Sequence, residues 1–138
     1  MLITRDPIVV EPLLAETAGP ARGGTCLFLG TVRDAPDDHG VTEIEYSGYE
    51  AMIEAEFAGM LAEARERWPD ARASARHRLG PVPLGEASVA IVVAAPHRDE
   101  AFVACRYLIE AVKARLPIWK KEQRRDGSSV WVTPADRT

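Results

Sequence analysis

Apolar residues recur along this chain with two different periods, which predict strands and helices. The segment "GGTCLFLGTV" (23–32) opens with two glycines and continues with apolar and β-branched residues, so it predicts a strand. The segment "VTEIEY" (41–46) alternates apolar and polar residues, which predicts a second strand. Because the turn-rich segment "RDAPDDHG" lies between them, we expect the two strands to pair as a hairpin.

Two longer segments carry apolar residues at the three- and four-residue spacing of an amphipathic helix. The first helix is predicted over 49–68 and ends before Pro69, and its apolar stripe consists of Ile53, Phe57, Met60, Leu61, Ala64 and Trp68. The second is predicted over 99–116 and ends before Pro117, and its stripe consists of Ala101, Cys105, Leu108 and Val112, with Phe102 and Ile109 beside it.

Three further strands complete the predicted elements. Residues 71–79 alternate and residues 88–95 form a nearly continuous apolar run, so we expect a strand pair whose second member is buried on both faces. A short final strand is predicted at 128–133. Two main helices among these strands, without regular βαβ order, predict an α+β fold with a mixed or antiparallel sheet, in a single domain spanning 1–138.

Composition excludes several classes of protein. The 138 residues are 46% hydrophobic and 28% charged, as is ordinary for a globular protein, and no apolar run is long enough for a membrane span. The N-terminal "MLITRDPIVVEPLL" lacks the basic end and long apolar run of a signal peptide, which predicts a cytoplasmic protein. A net charge of -4 argues against a general nucleic-acid binder.

Cysteine usage predicts neither a metal site nor a disulfide. Cys26 and Cys105 are the two cysteines, and the chain has no CxxC motif and no histidine at metal-ligand spacing. Cys105 lies on the apolar stripe of the second helix, which favours a packing role, although a thiol can also carry sulfur. We therefore expect reduced thiols and no metal. The glycines at 19, 23 and 24 precede a strand instead of opening a helix, so no dinucleotide fingerprint is present and no cofactor is expected.

Positive charge is concentrated between residues 113 and 125, although the chain is acidic overall. Six of the 17 basic side chains lie there, namely Lys113, Arg115, Lys120, Lys121, Arg124 and Arg125. Such a run at a helix end is usually a solvated surface. Alternatively, Pro117, Ile118 and Trp119 form a rigid apolar turn that holds Lys120 at a pocket wall, where a partly desolvated amine can act as an acid, base or nucleophile.

A second basic pair stands where a buried strand runs into a helix. His97 and Arg98, in "PHRDEAF" (96–102), lie beside the free N–H groups of a predicted helix start, which suit an anion. A solvated basic turn explains the same residues equally well.

Three segments together resemble the large, catalytic subunit of molybdopterin synthase. They are "FLGTVRD" (28–34), "HRLGPVPLGEASVAIVVAAPHRDEAFVACRYLIEAVKARLPIWKKE" (77–122) and "DGSSVWV" (126–132), in collinear order over most of the chain. The resemblance implies an α/β hammerhead fold and a sulfur transferase. Such an enzyme converts cyclic pyranopterin monophosphate into the dithiolene molybdopterin, with sulfur delivered as a thiocarboxylate on the C-terminal Gly-Gly of a small ubiquitin-like subunit. It further implies a homodimer within a heterotetramer.

The resemblance also implies roles for six residues of this chain. Arg33, His97 and Arg98 would hold the phosphate of the pterin. Lys113 and Lys120 would serve catalysis, and Phe28 would line the pocket for the partner's tail. The C-terminal "WVTPADRT" departs from the family pattern V-E-x-R, because Thr133 replaces the glutamate, Pro134 is inserted and Arg137 is displaced. A role for a C-terminal arginine therefore does not carry over.

Two other functions compete with this interpretation. A non-enzymatic module would use the basic stretch only to dock an acidic tail. A persulfide-carrying sulfurtransferase would need an exposed, activated cysteine, which replacing both Cys26 and Cys105 would test.

Overall fold

Eight strands and three helices form the part of the chain that the computed structural model describes, residues 1–36 and 38–132. The helices are α1 (Glu11–Thr17), α2 (Glu50–Arg67) and α3 (Arg98–Arg115). The strands are β1 (Ile3–Thr4), β2 (Gly24–Thr31), β3 (Val41–Gly48), β4 (Arg72–Arg78), β5 (Gly80–Pro83), β6 (Ala87–Ala95), β7 (Ile118–Arg124) and β8 (Ser129–Val132).

The strands form two four-stranded sheets. One has the order β1-β4-β6-β2 and the other the order β5-β3-β7-β8. The pair β1–β4 is parallel and the other pairs are antiparallel. The predicted α+β class, with mixed pairing and two main helices, is confirmed.

The predicted hairpin between β2 and β3 is wrong, because the two strands belong to different sheets. β2 pairs with β6, from Gly24 opposite Ala95 to Thr31 opposite Ala87, whereas β3 pairs with β5 and β7. β6 is buried along almost its whole length, so it needs a neighbouring strand on each side. β4 and β2 fill those two positions, and the turn between β2 and β3 carries the chain from one sheet to the other.

Four elements were absent from the sequence prediction. β1, α1 and β5 are short, at 2, 7 and 4 residues, and a segment of that length shows no clear period. β7 covers the stretch that the sequence suggested was a rigid turn, so that prediction is wrong as well. Five of its seven residues are consecutive polar residues, so the segment lacks the apolar alternation that predicts a strand.

The core lies between the sheets and the two long helices. α3 packs on β2 and β6, and its buried residues include the four predicted for its stripe, Ala101, Cys105, Leu108 and Val112. Phe102, expected beside that stripe, is instead 61% exposed. On the other face of β6, Leu13 of α1 packs with Ala90 and Val92. β6 is therefore covered on both faces, as its apolar run predicts.

One glycine allows the end of β3 to approach the start of β7. A Cβ atom on Gly48 would lie 2.6 Å from the carbonyl oxygen of Pro117 and 2.7 Å from Cδ1 of Ile53. This close approach fixes the register in which Tyr46 lies opposite Lys120. Gly48 therefore helps to place Lys120 beside Tyr46.

Candidate active site

A cavity of about 310 Å³ opens between the two sheets, near the C-terminal end of α3. Its wall contains three basic side chains, those of Arg33, Lys113 and Lys120, and two acidic ones, those of Asp38 and Glu122. The aromatic ring of Phe28 on β2 also lines it. Four of the six residues that the resemblance implies are thus brought to one cavity.

Lys113 and Lys120 reach this cavity from two different elements. Lys113 lies in the last turn of α3, which ends before Pro117 with Leu116 already in an extended conformation (φ -75°, ψ 131°). Lys120 is the third residue of β7, on the same face as the buried Ile118, whereas Trp119 between them is 55% exposed. The break at Pro117 therefore turns the chain so that both lysines line one cavity.

The other four basic residues of the 113–125 stretch lie elsewhere. Arg115 binds two glutamates of α2, with Nη1 2.7 Å from Glu63 and Nη2 3.0 Å from Glu56. Lys121 alternates with Lys120 onto the opposite face of β7, where its Nζ lies 5.5 Å from the centroid of the Trp131 ring. The remaining two form ion pairs, Arg124 with Glu122, which lines the cavity, and Arg125 with Asp34 in the loop after β2. The apparent charge cluster thus serves several different contacts.

The loop after β2 positions Arg33. Asp34 Oδ1 accepts hydrogen bonds from the backbone N–H groups of Gly40 and Val41, both at 3.0 Å, and so closes the loop. Arg33 Nε lies 3.4 Å from Asp38 Oδ2, and the Arg33 side chain is 67% exposed. The guanidinium group is therefore accessible to an anion entering the cavity.

His97 and Arg98 lie outside this cavity within one chain. His97 is the N-cap residue of α3 and Arg98 its first helical residue, and both are exposed. They contact the start of β2, where a Cβ on Gly24 would lie 3.0 Å from the Arg98 nitrogen. Arg33 follows the other end of this strand of 8 residues, roughly 23 Å away along the strand at its usual rise per residue.

The two cysteines are free thiols, and neither lines the cavity. Cys105 is buried, and this burial, with the neighbouring Cys26 thiol, raises the pKa of Cys105 to about 12. A thiol in such a setting stays protonated and is a poor nucleophile. This environment supports the packing role predicted for Cys105.

Six polar residues that were not singled out from the sequence line the same region, namely Thr31, Asp38, Tyr46, His77, Ser88 and Glu122. Period-two alternation could have found two of them. Tyr46 follows Ile44 by two residues on β3, and Glu122 follows Lys120 by two on β7. His77 and Ser88 lie on strands β4 and β6, whose place beside the cavity depends on the sheet pairing.

The described ranges contain neither a cluster of metal ligands nor a membrane-spanning helix. Within 1–36 and 38–132, no three His, Cys, Asp or Glu side chains are grouped as metal ligands would be. In the same ranges, no helix has the length and apolar character required to cross a membrane. The divergent C-terminal residues, Thr133, Pro134 and Arg137, lie outside the described residues.

Comparison with known proteins decides the family. The family described as "MoaE protein" matches residues 3–115. The chain belongs to this family. The matched range contains Phe28, Arg33, His97, Arg98 and Lys113, whereas Lys120 lies just beyond it.

Relatives and solved structures agree with this membership. The chain is 40% identical over 132 residues to a molybdopterin synthase catalytic subunit from Nostoc sp., covering 95% of this chain and 80% of the relative. It is 38% identical over 130 residues to molybdopterin synthase catalytic subunit 1 of Mycobacterium tuberculosis, covering 94% and 88% of the two chains. The crystal structure of molybdopterin synthase from Staphylococcus aureus superposes with a TM-score of 0.91 at 35% identity, over 96% of both chains.

Proposed function

We propose that this MoaE-family chain is the catalytic subunit of a molybdopterin synthase, acting as a sulfurtransferase. It transfers sulfur from the thiocarboxylated C-terminal glycine of a small ubiquitin-like subunit to cyclic pyranopterin monophosphate and so forms the dithiolene of molybdopterin. The observation that carries this proposal is the convergence of Arg33, Lys113 and Lys120, from three separate elements, on one cavity. The cytoplasm remains the compartment that the sequence predicts.

The charge of the cavity matches the charge of both reactants. The pterin carries a phosphate and the incoming tail carries a thiocarboxylate, so two anions must approach each other. Cations fixed in a partly enclosed site reduce this repulsion and stabilise the charge that develops as sulfur attacks. Arg33 offers paired donors to the phosphate. Binding requires the phosphate to compete with Asp38 for the Arg33 guanidinium group.

The chemistry assigned to the two lysines follows from the bonds that change. The thiocarboxylate sulfur bonds to a pterin carbon, the bond between that carbon and its oxygen breaks, and the leaving oxygen receives a proton. The sulfur is then shared between the pterin and the acyl carbon of the tail. Water must cleave the acyl–sulfur bond to release the tail as a carboxylate. Lys120 would protonate the leaving oxygen or stabilise the negative charge, and Lys113 would do so from α3 or bind the tail's carbonyl.

The tail of the small subunit would enter beside Phe28. A glycine pair can pass through a narrow apolar slot, and main-chain hydrogen bonds would offset the entropy that the tail loses on ordering. A solved structure from Helicobacter pylori, a complex of subunits 1 and 2 of molybdopterin-converting factor, has the same fold with a TM-score of 0.79 at 23% identity. A two-subunit assembly in that protein is in keeping with a small-subunit partner here.

A phosphate-binding role for His97 and Arg98 requires a second copy of the chain. They are remote from Arg33 within one chain, because β2 separates them. In a symmetric homodimer, each chain can supply these two residues to the cavity of the other. The predicted homodimer within a heterotetramer would therefore have pockets shared between protomers.

Reconstitution tests the proposed function directly. The purified chain is mixed with a thiocarboxylated small subunit and the cyclic pterin, and the dithiolene product is measured. We expect product with the intact partner and a severe loss when the partner lacks its terminal Gly-Gly. Product formation excludes the pure docking module, and retained transfer in the Cys26→Ala/Cys105→Ala double variant excludes a persulfide carrier. Undiminished transfer from the trimmed partner would refute the proposed tail binding.

A further inference from the structure

A smaller chamber lies beneath the main cavity, on the side of the core. It has a volume of about 30 Å³, and its polar lining comes from Tyr46, His77, Ser88, Lys113 and Lys120. All of these except His77 also line the main cavity, so the chamber and the cavity adjoin. One water molecule needs roughly 10–15 Å³ of such space and two to four polar partners. The chamber therefore has the size and the lining of a site for a single water.

Tyr46 and His77 form the inner wall of this chamber. Both are buried, with exposed fractions of 7% and 6%, and their rings meet edge to face with centroids 5.3 Å apart. Tyr46 also lies directly opposite Lys120 in the β3–β7 pairing, so both side chains project from the same face of the sheet. The aromatic pair is thus placed directly against one of the two lysines of the cavity.

One hydrogen bond of His77 indicates the tautomer of its ring. Nδ1 lies 3.0 Å from the carbonyl oxygen of Arg78. A carbonyl oxygen only accepts hydrogen bonds, so Nδ1 carries the proton, and in the neutral ring Nε2 is the nitrogen that can accept one. The backbone of β4 thereby fixes a tautomer suited to take a proton from water.

We propose that this chamber holds the water that releases the small subunit after sulfur transfer, with His77 as its general base and Tyr46 as a positioning residue. This inference rests on the proposed function. The water oxygen bonds to the acyl carbon of the tail, and Nε2 of His77 accepts a proton from the water. The acyl–sulfur bond breaks with its electron pair on sulfur, which stays on the pterin. The products are a pterin thiolate and a tail carboxylic acid, which loses its remaining proton to solvent, with no change of oxidation state.

Single-turnover mass spectrometry of the small subunit separates the two steps. Its thiocarboxylate, its covalent pterin adduct and its released carboxylate have different masses. In the His77→Asn variant the amide can still donate to the Arg78 carbonyl, but it has no group at the position of Nε2. We expect the adduct to form at near the parental rate and its hydrolysis to slow by about a hundredfold, the scale of a lost general base, so that the adduct accumulates.

Two further variants distinguish the proposed role from a structural one. The longer amide of His77→Gln reaches the position of Nε2 and can hold the water there, but it cannot take up a proton, so hydrolysis should stay as slow as in His77→Asn; rescue by Gln would mean that His77 only positions the water. Tyr46→Phe keeps the buried ring and removes only the hydroxyl group, so it should slow hydrolysis less than His77→Asn does. The matched controls are His39→Gln, in an exposed loop, and Tyr107→Phe, whose hydroxyl group donates to Glu63 between α2 and α3. Both controls should behave as the parent does.

The outcomes separate this inference from the proposed function. The chamber is not the hydrolytic site if His77→Asn and Tyr46→Phe release the carboxylate at the parental rate. It is equally refuted if both variants slow adduct formation as much as hydrolysis, because that pattern indicates a general effect on the cavity. Absence of product with the parental chain would instead refute the proposed sulfur transfer.

Discussion

At the scale of single residues, the position of a lysine on a strand decides its role. Lys120 and Lys121 are adjacent in sequence and chemically identical, yet one lines the cavity and the other lies over the exposed ring of Trp131. Successive side chains of a strand project from opposite faces, so the two cannot exchange roles. This pair provides a test of catalysis in which each variant is the control for the other.

We expect Lys120→Ala to lower the rate of sulfur transfer by about a hundredfold or more, the scale of losing a positioned charge-stabilising group. Lys121→Ala should retain a near-parental rate, because Lys121 lies on the other face of β7. Single-turnover rates with saturating small subunit measure both, and thermal unfolding checks that each variant folds. Equal rates for Lys113→Ala, Lys120→Ala and the parent would mean that neither lysine serves catalysis and that the basic stretch is only a solvated surface.

At the scale of elements, two contacts hold the helices and strands that frame the cavity. One is the approach of β3 to β7 at Gly48, and the other is the ion-pair network that joins α2 to the end of α3. In that network Glu63 accepts hydrogen bonds from Arg115 and from the hydroxyl group of Tyr107, at 2.7 and 2.6 Å. Pro117 in the first contact lies three residues before Lys120, and Arg115 in the second lies two residues after Lys113. Substitutions at Gly48 and Glu63 test how much each contact stabilises the fold.

Gly48→Ala should destabilise the protein by about 1–3 kcal/mol, because the new methyl group would overlap the Pro117 carbonyl and the backbone would have to shift. Gly59→Ala is the matched control, since Gly59 lies within α2 with nothing within 4 Å of the added Cβ. There alanine should instead stabilise by about 0.5–1 kcal/mol through its higher helix propensity. Urea denaturation measures the change in the free energy of unfolding for both variants. Similar changes in the two variants would argue against the close approach at Gly48.

The Glu63 contact predicts a specific sensitivity to acid. Hydrogen bonds from Arg115 and Tyr107 lower the pKa of Glu63 from 4.5 to about 2. Because the folded-state pKa lies below the unfolded one, this contact stabilises fully above pH 4.5 and is lost as the pH falls towards 2. Glu63→Gln should therefore be less stable than the parent at neutral pH, and the difference should shrink on acidification.

Melting temperatures measured across that pH window test the prediction. Glu110→Gln is the control, because the pair Arg106–Glu110 is exposed at 3.7 Å and such pairs contribute little. A difference between Glu63→Gln and the parent that stays constant with pH would rule out the proposed linkage.

At the scale of the whole molecule, the cavity of one chain lacks two of the six residues assigned to it. Arg33 lies beyond one end of β2 and the junction of His97 and Arg98 lies at the other end. If these residues hold the phosphate, activity depends on a dimer. Arg98→Ala should then raise the KM for the pterin by an amount equal to about 1.5–3 kcal/mol, with little effect on small-subunit binding.

Mixing two weakened variants, assayed at a pterin concentration below the parental KM, tests whether the pocket is shared. When Lys120→Ala and Arg98→Ala chains are unfolded together and refolded, each mixed dimer should contain one site with both native residues. We expect roughly a quarter of the parental activity, since half of the dimers are mixed and each has one complete site. Activity no greater than the average of the separate variants would mean that each chain forms its site alone.

The sequence by itself determined the features that depend on local periodicity. The helices over 49–68 and 99–116 and the doubly buried strand at 88–95 follow from apolar spacing within each segment, because each buried face is formed by neighbours along the chain. The motifs "PHRDEAF" and "LPIWKKE" likewise identified the family. Short or polar elements such as α1 and β7 could not be predicted in this way, because their stability comes from the surfaces they cover.

Only the tertiary structure decided which strands pair and which side chains meet. β2 bypasses the nearest strand in sequence and pairs with β6, because β6 must be covered on both edges and both faces to bury its apolar residues. That pairing places the end of β2 beside α3 and β7, and so brings Arg33 to Lys113 and Lys120. The Tyr46–His77 pair arises in the same way, from β3 and β4 in different sheets. Contacts between distant segments depend on how the whole core packs, and no local pattern records that.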